Sequence, residues 1–201
     1  MAEAKKSNRI WVKDVRIAYA NGIFEARAAQ PGGKPKFGAG FLFPVSHPAV
    51  KVISDAVISA ANTGWGEKAP EMLKQLKAAD RLPVHNGDAK ASSAGYAGNL
   101  YMNAGNAIRP IILDADARTP LTAADGKIYS GCYVNVLVEI WPQKSKEFGT
   151  RINASLLGVQ FVRDGERLAG GSAATAEDFE PIPGAETGNA DGAGDPAALF
   201  N

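Results

Sequence analysis

Apolar and polar positions alternate through residues 9–20. Ile10 and Val12 fall on one parity and Val15, Ile17 and Tyr19 on the other, with the change at Lys13-Asp14. Alternation of this kind predicts a half-buried strand, and a parity change inside it predicts a β-bulge, which bends strands into barrels. Asn21-Gly22 is a turn signal, followed by a loose stretch through Gln30-Pro31-Gly32-Gly33. A second strand is predicted over 36–45. There Phe37, Ala39, Phe41, Phe43 and Val45 share one face, and Lys36, Gly38, Gly40 and Leu42 the other. That second face is nearly bare, and glycines in a strand mark sharp curvature or close approach by a ligand backbone.

Helical spacing follows. Ser46 is placed to cap a helix with Pro48 in its first turn. Val50, Ile53, Val57 and Ile58 recur at helical intervals before Thr63-Gly64 ends the run. A shorter helix is expected from Pro70 to Ala79 with Met72, Leu73 and Leu76 inward, and residues 83–98 read as loop. Short strands are expected over 100–103 and 109–113, then turns at Asp114-Ala115-Asp116 and Ala124-Asp125-Gly126. The clearest strand covers 129–142 and is ended by Pro142. Cys132, Val134, Val136, Val138 and Ile140 share its core face, and Tyr133, Asn135, Leu137, Glu139 and Trp141 its other face. A last strand covers 151–162, with a second parity switch between Leu156 and Leu157. The sum is a mainly β protein: an OB-fold-like Greek-key β-barrel with helices inserted over 47–79. Beyond Ala173 the chain is Gly, Ala, Pro and acids and cannot bury enough apolar surface to offset ordering entropy. The expected organisation is a flexible N-terminus over 1–8, one barrel domain over 9–173, and a disordered acidic C-terminal tail over 174–201.

Composition narrows the class. The chain has 201 residues, 45% apolar and 21% charged, which suits one globular domain with appendages. No apolar run reaches the ~18 residues of a membrane span. The polar opening, with Lys5, Lys6 and Arg9, has no signal-peptide core behind it. One cysteine, Cys132, cannot pair within the chain, and with His47 and His85 it offers no zinc-site spacing. The near-neutral total hides an asymmetry. Residues 1–163 hold 21 Lys and Arg against 13 Asp and Glu, net +8; residues 164–201 hold Arg167 against eight acids, net −7. A basic body with an acidic end is the charge pattern of a polyanion binder.

An enzyme is not expected. Asp114 and Asp116 form a turn pair of acids, Gly38-Ala39-Gly40 lacks the Lys-Ser/Thr of a phosphate loop, and Cys132 points to the core face. No cofactor or metal is implied. Nucleic acid fits better, because single-strand binders combine a basic groove with aromatic platforms on which bases stack. Tyr133 and Trp141 lie on the polar face of their strand, Trp11 lies opposite Ile10 and Val12, and Tyr101 falls in a short segment beside turns. Cations interleave with these aromatics. The expected DNA-binding set is therefore Trp11, Lys13, Arg16, Lys36, Tyr101, Arg109, Lys127, Tyr133, Trp141, Lys144, Lys146 and Arg151. Tyr101, Tyr133 and Trp141 are the leading stacking residues.

Several blocks carry a resemblance. They are residues 15–21 (Val15 to Asn21), Lys36 through Pro44, Tyr101-Met102-Asn103-Ala104, Tyr129-Ser130-Gly131-Cys132-Tyr133, and Val159-Gln160 leading into Arg163-Asp164-Gly165-Glu166. With Ala176-Glu177-Asp178-Phe179 they cover about residues 9–180, and the Tyr-Ser-Gly-Cys-Tyr block is the most specific. In these the chain resembles a family of phage and prophage OB-fold single-stranded-DNA-binding proteins, and its layout is similar to podophage replication proteins with acidic tails. The resemblance implies a non-catalytic protein that coats single strands in the host bacterial cytoplasm during phage replication or recombination. Through its tail it would meet a phage or host DNA polymerase, helicase or recombination nuclease. It implies no membrane partner and leaves a homodimer open. This tail ends in Asn201 rather than an aromatic residue.

Overall fold

The computed structural model describes residues 8–28, 30–145 and 149–168. Chain order is β1 (Arg9–Ala18), α1 (Asn21–Phe24), β2 (Phe37–Pro44), α2 (Ala49–Trp65), α3 (Ala69–Ala78), β3 (Val84–Asn86), β4 (Asn99–Asn106), β5 (Ile111–Leu113), β6 (Tyr133–Ser145) and β7 (Gly149–Arg163). The strands form one sheet in the order β3-β4-β2-β1-β6-β7-β5. All pairings are antiparallel except β5 with β7. The sheet curls until β4 lies against β7, and the Asn106 amide bridges that seam by donating to the Leu156 carbonyl at 3.2 Å. The five long strands thus close in the order β4-β2-β1-β6-β7, the connectivity of an OB-like barrel.

Both parity switches are bulges. The β1–β6 register shifts between Val12 and Val15, where Asp14 takes a φ of 51° and its N–H finds the Asn135 side-chain oxygen at 3.0 Å. The β6–β7 register shifts opposite Leu157. Each shift keeps the aliphatic side chains inward on both sides of the bend. Val12, Val15, Ile17, Val134, Val136, Val138, Ile140 and Leu156 are therefore all completely buried. Phe41 and Phe43 of β2 complete this wall, and α2 covers one end of the barrel with Ile53, Ala56, Ala60 and Ala61.

Several local expectations are corrected. Pro48, not Ser46, stands at the N-cap of α2, and the Ala49 N–H is taken by His47 Nδ1 at 3.1 Å. The helix runs past Thr63-Gly64 to Trp65 and stops at Gly66, whose φ of 56° suits glycine. Ile58 and Val45 are exposed rather than buried. Pro142 does not end β6. Pairing with β1 stops at Glu139, so Pro142 sits where β6 has a free edge and no partner needs its missing N–H. Residues 84–86 form β3 instead of loop. Tyr19, expected on the core face of the first strand, is 61% exposed. The acidic tail of 174–201 lies outside the described residues.

Candidate nucleic-acid interface

A groove of about 1270 Å³ runs across the seam between β4 and β7. Its low side is the bare face predicted for β2, together with the facing stretch of β4 at Asn103, Ala104 and Gly105. A Cβ at Gly38 would lie 2.8 Å from the Ala104 carbonyl oxygen, and one at Gly40 would lie 3.0 Å from the Tyr96 hydroxyl. Close packing against β4 at Gly38 and against Tyr96 at Gly40 therefore leaves no room for side chains on β2 there, and a molecule lying on this floor comes close to the β2 backbone. The opposite side is the start of β7, Arg151 to Ser155, with Trp141 and Gln143 of β6. The segment after α3 supplies Arg81, and Lys90 follows β3.

Polar side chains on the β6–β7 side are held by one another. Trp141 Nε1 donates to Ser155 Oγ at 2.8 Å, and Asn153 donates to the Gln143 side-chain oxygen at 2.7 Å. The Ser155 bond anchors the Trp141 indole, which is 38% exposed and lines the groove. Five cations line the groove: Arg27, Lys36, Arg81, Lys90 and Arg151. Asp80 is the one acid among its described lining residues, and it lies 2.7 Å from His85 Nδ1. Among the described residues Lys36 and Arg151 make no ion pair. A cleft of one charge sign with low-dielectric walls concentrates the opposite sign.

An aromatic cluster stands at the Tyr19 end. Tyr101 packs edge-on to Tyr96 at 5.0 Å, His85 stacks on Tyr101 at 5.1 Å, and Lys90 Nζ lies 4.6 Å above the Tyr101 ring. With Ala18, Leu42 and Leu168 these tyrosines form a second small core on the outer face of the sheet. Burial pushes the Tyr96 phenol to a higher pKa, and the neighbouring Tyr19 hydroxyl pushes the same way.

Of the residues expected from sequence, the groove brings together Lys36, Trp141 and Arg151. Tyr101 is a correction. It is 6% exposed, with His85 on its face and Tyr96 at its edge, so it offers no open face to a base. The Tyr133 ring is covered by the Arg163 guanidinium at 3.4 Å, which in turn pairs with Asp14. Lys127 is bonded to Asp114 at 2.5 Å and sits over the Phe161 ring; that bond holds the Asp114 carboxyl below its usual range. Arg16 donates to the carbonyls of Gly131 and Glu166 and so holds the C-terminal segment against the sheet. Trp11 and Lys13 are exposed on β1, Arg109 follows β4, and Lys144 is near the end of β6, all outside the groove lining. Lys146 lies outside the described residues. Sequence reasoning missed Tyr19, Arg27, Arg81, His85 and Lys90. Tyr19 and Arg81 come from connections, Arg27 from an isolated β-bridge, Lys90 from a single 3-10 turn and His85 from a three-residue strand; in segments this short or irregular periodicity assigns no facing.

An antiparallel barrel of OB connectivity, with a cationic groove carrying exposed aromatics across its seam, is the build of an oligonucleotide-binding barrel. The profile of the family described as Enterobacter phage Enc34, ssDNA-binding protein, matches residues 8–192, and the chain belongs to that family. The p50 protein of Acyrthosiphon pisum secondary endosymbiont phage 1 is 37% identical over 181 residues, which span 89% of this chain and 96% of that one. Among solved structures, the single-stranded DNA-binding protein from bacteriophage Enc34 in complex with ssDNA aligns with a TM-score of 0.68 and 25% identity. That alignment covers 82% of this chain and 91% of that one. The fold also matches gp2.5, a single-stranded DNA-binding protein of bacteriophage T7, at a TM-score of 0.51 and 13% identity, over 90% and 98% of the two chains.

Proposed function

We propose that this chain binds single-stranded DNA without sequence preference along the β4–β7 groove, and that it coats and protects single strands during phage DNA replication or recombination. The observation that carries the reading is the groove itself: five cations, an anchored indole and a glycine floor on an OB-like barrel. Cations neutralise phosphates at any sequence, and an aromatic face stacks on any base. The Enc34 protein, solved in complex with ssDNA, is a relative with the same fold. The role needs no catalysis. Among the described residues no cluster of three or more His, Cys, Asp or Glu is arranged to hold a metal ion, and no helix is long and apolar enough to cross a membrane. The site of action is the cytoplasm of the infected bacterium.

The acidic C-terminal residues compete with DNA for the groove or recruit a polymerase, helicase or recombination nuclease. Leu168, the last described residue, packs against the Tyr96–Tyr101 cluster beside the groove. A tethered polyanion there acts at high effective concentration. The test is a titration of oligo-dT, at two salt concentrations, into the full chain and a truncation ending at Ala173, followed by tryptophan fluorescence. Salt-sensitive binding, tighter in the truncation, is expected. Equal binding in both forms removes the competing tail, and absence of binding at low salt refutes the function.

A further inference from the structure

We propose that Tyr19 is a base-stacking platform at the mouth of the groove, built there against the preference of its own backbone; this rests on the single-strand-binding reading above. Tyr19 has a φ of 57°. Left-handed backbone disfavours any residue with a Cβ, and bulky side chains most. Asp14, Asp80 and Ala117 are the other described non-glycine residues there; aspartate tolerates the region and alanine is small. Tyr19 is the aromatic exception.

The corner explains the φ but not the tyrosine. Ala18 faces the outer aromatic cluster, while Ala20 faces the main core and its N–H is held by Ser130 Oγ at 3.0 Å. The Tyr19 carbonyl accepts the Gly22 N–H at 3.0 Å as the chain enters α1. One residue must make this reversal, and glycine or asparagine would make it with less strain. Burial does not account for the ring either, since Tyr19 is 61% exposed and only one side of it rests on Tyr96. What the ring does have is position. It lines the groove that Trp141 also lines, and it leans on Tyr96, with centroids 6.3 Å apart and planes at 50°. Tyr96 is fully buried, so it is a firm support. Strained residues of this kind gather at ligand clamps. A strand with unpaired bases offers the flat apolar face that such a ring takes, and a duplex hides it.

The test compares wild type with Tyr19→Gly and Tyr19→Phe, by melting temperature and by titration with oligo-dT and with an oligomer of abasic residues of the same length. Tyr19→Gly is expected to melt at or above wild type and to bind oligo-dT about five- to 150-fold more weakly, the range of one base–aromatic stack. Tyr19→Phe is expected to stay within about twofold. On the abasic oligomer all three proteins bind alike. Oligo-dT binding by Tyr19→Gly equal to wild type overturns the proposal while leaving the single-strand function standing. So does an equal loss in Tyr19→Phe, or a lower melting temperature for Tyr19→Gly. Failure of wild type to bind overturns both.

Discussion

The charge arrangement in the groove makes a quantitative prediction. Lys36 and Arg151 stand on opposite sides of it, both exposed and both without an ion pair among the described residues. With Arg27, Arg81 and Lys90 they make five groove cations. Each phosphate neutralised on a single strand contributes about 0.7 to the slope of log affinity against log salt, so five give a slope of about −3.5. Raising salt from about 50 to 200 mM should then weaken binding on the order of 100-fold. The double replacement Lys36→Gln and Arg151→Gln removes two contacts. The slope should fall to about −2 and the same salt change should cost about 20-fold. The melting temperature should hold, because neither side chain is buried. Lys51→Gln is the control: that residue lies on α2, paired with Asp55 and outside the groove lining, and its replacement should leave the slope at the wild-type value. Oligo-dT titrations at four salt concentrations measure this. An unchanged slope in the double variant, or a change as large in Lys51→Gln, would refute the assignment of phosphates to this groove.

Other outcomes follow from the same geometry. Tyr101→Ala should destabilise the fold by about 3 kcal/mol, as large-to-small changes in packed cores do, whereas Trp141→Ala should cost about 1 kcal/mol of stability and weaken oligo-dT binding five-fold or more. Chemical denaturation beside DNA titration separates the two. The Asp116 carboxyl accepts from the Thr119 hydroxyl and from the Arg118 and Thr119 N–H groups, which lowers its pKa to about 2. Its contribution to the 114–119 turn is present above the ordinary carboxylate value and is lost as pH falls from about 4 through 2, so amide exchange there should speed up in that window first. Burial pushes the Cys132 thiol upward, so a thiol reagent at pH 8 should react slowly with the native chain and fast in denaturant.

Much of the barrel was legible because it is written in parity. The bulges at Lys13-Asp14 and near Leu157 keep aliphatic residues inward across a bend, and a change of parity is visible in sequence. The same parity placed Trp141 and Lys36 on outer faces, and together with Arg151 these are the expected residues that meet in the groove. Parity names a face without saying what lies over it. Tyr101 is on the outer face too, yet Tyr96, His85 and Leu168 cover it, and the contacts with His85 and Leu168 are long-range in sequence. Tyr133 and Lys127 were likewise claimed by Arg163 and Asp114, partners that spacing does not reveal. Arg81 reaches the groove because the segment after α3 is tied to β7, where the Ile152 N–H donates to the Arg81 carbonyl at 3.1 Å. Tyr19 was legible as an apolar position but not as a corner, because its role depends on a backbone reversal.

Photochemical crosslinking of 5-iodouracil-substituted oligo-dT to the full chain, with the attachment sites read by mass spectrometry, tests the central claim most directly. Crosslinks are expected at Tyr19 and Trp141, lost together at high salt. Crosslinks confined to Trp11 and Tyr133, with the groove aromatics unmodified, would place the strand on the outer β1–β6 face and contradict it.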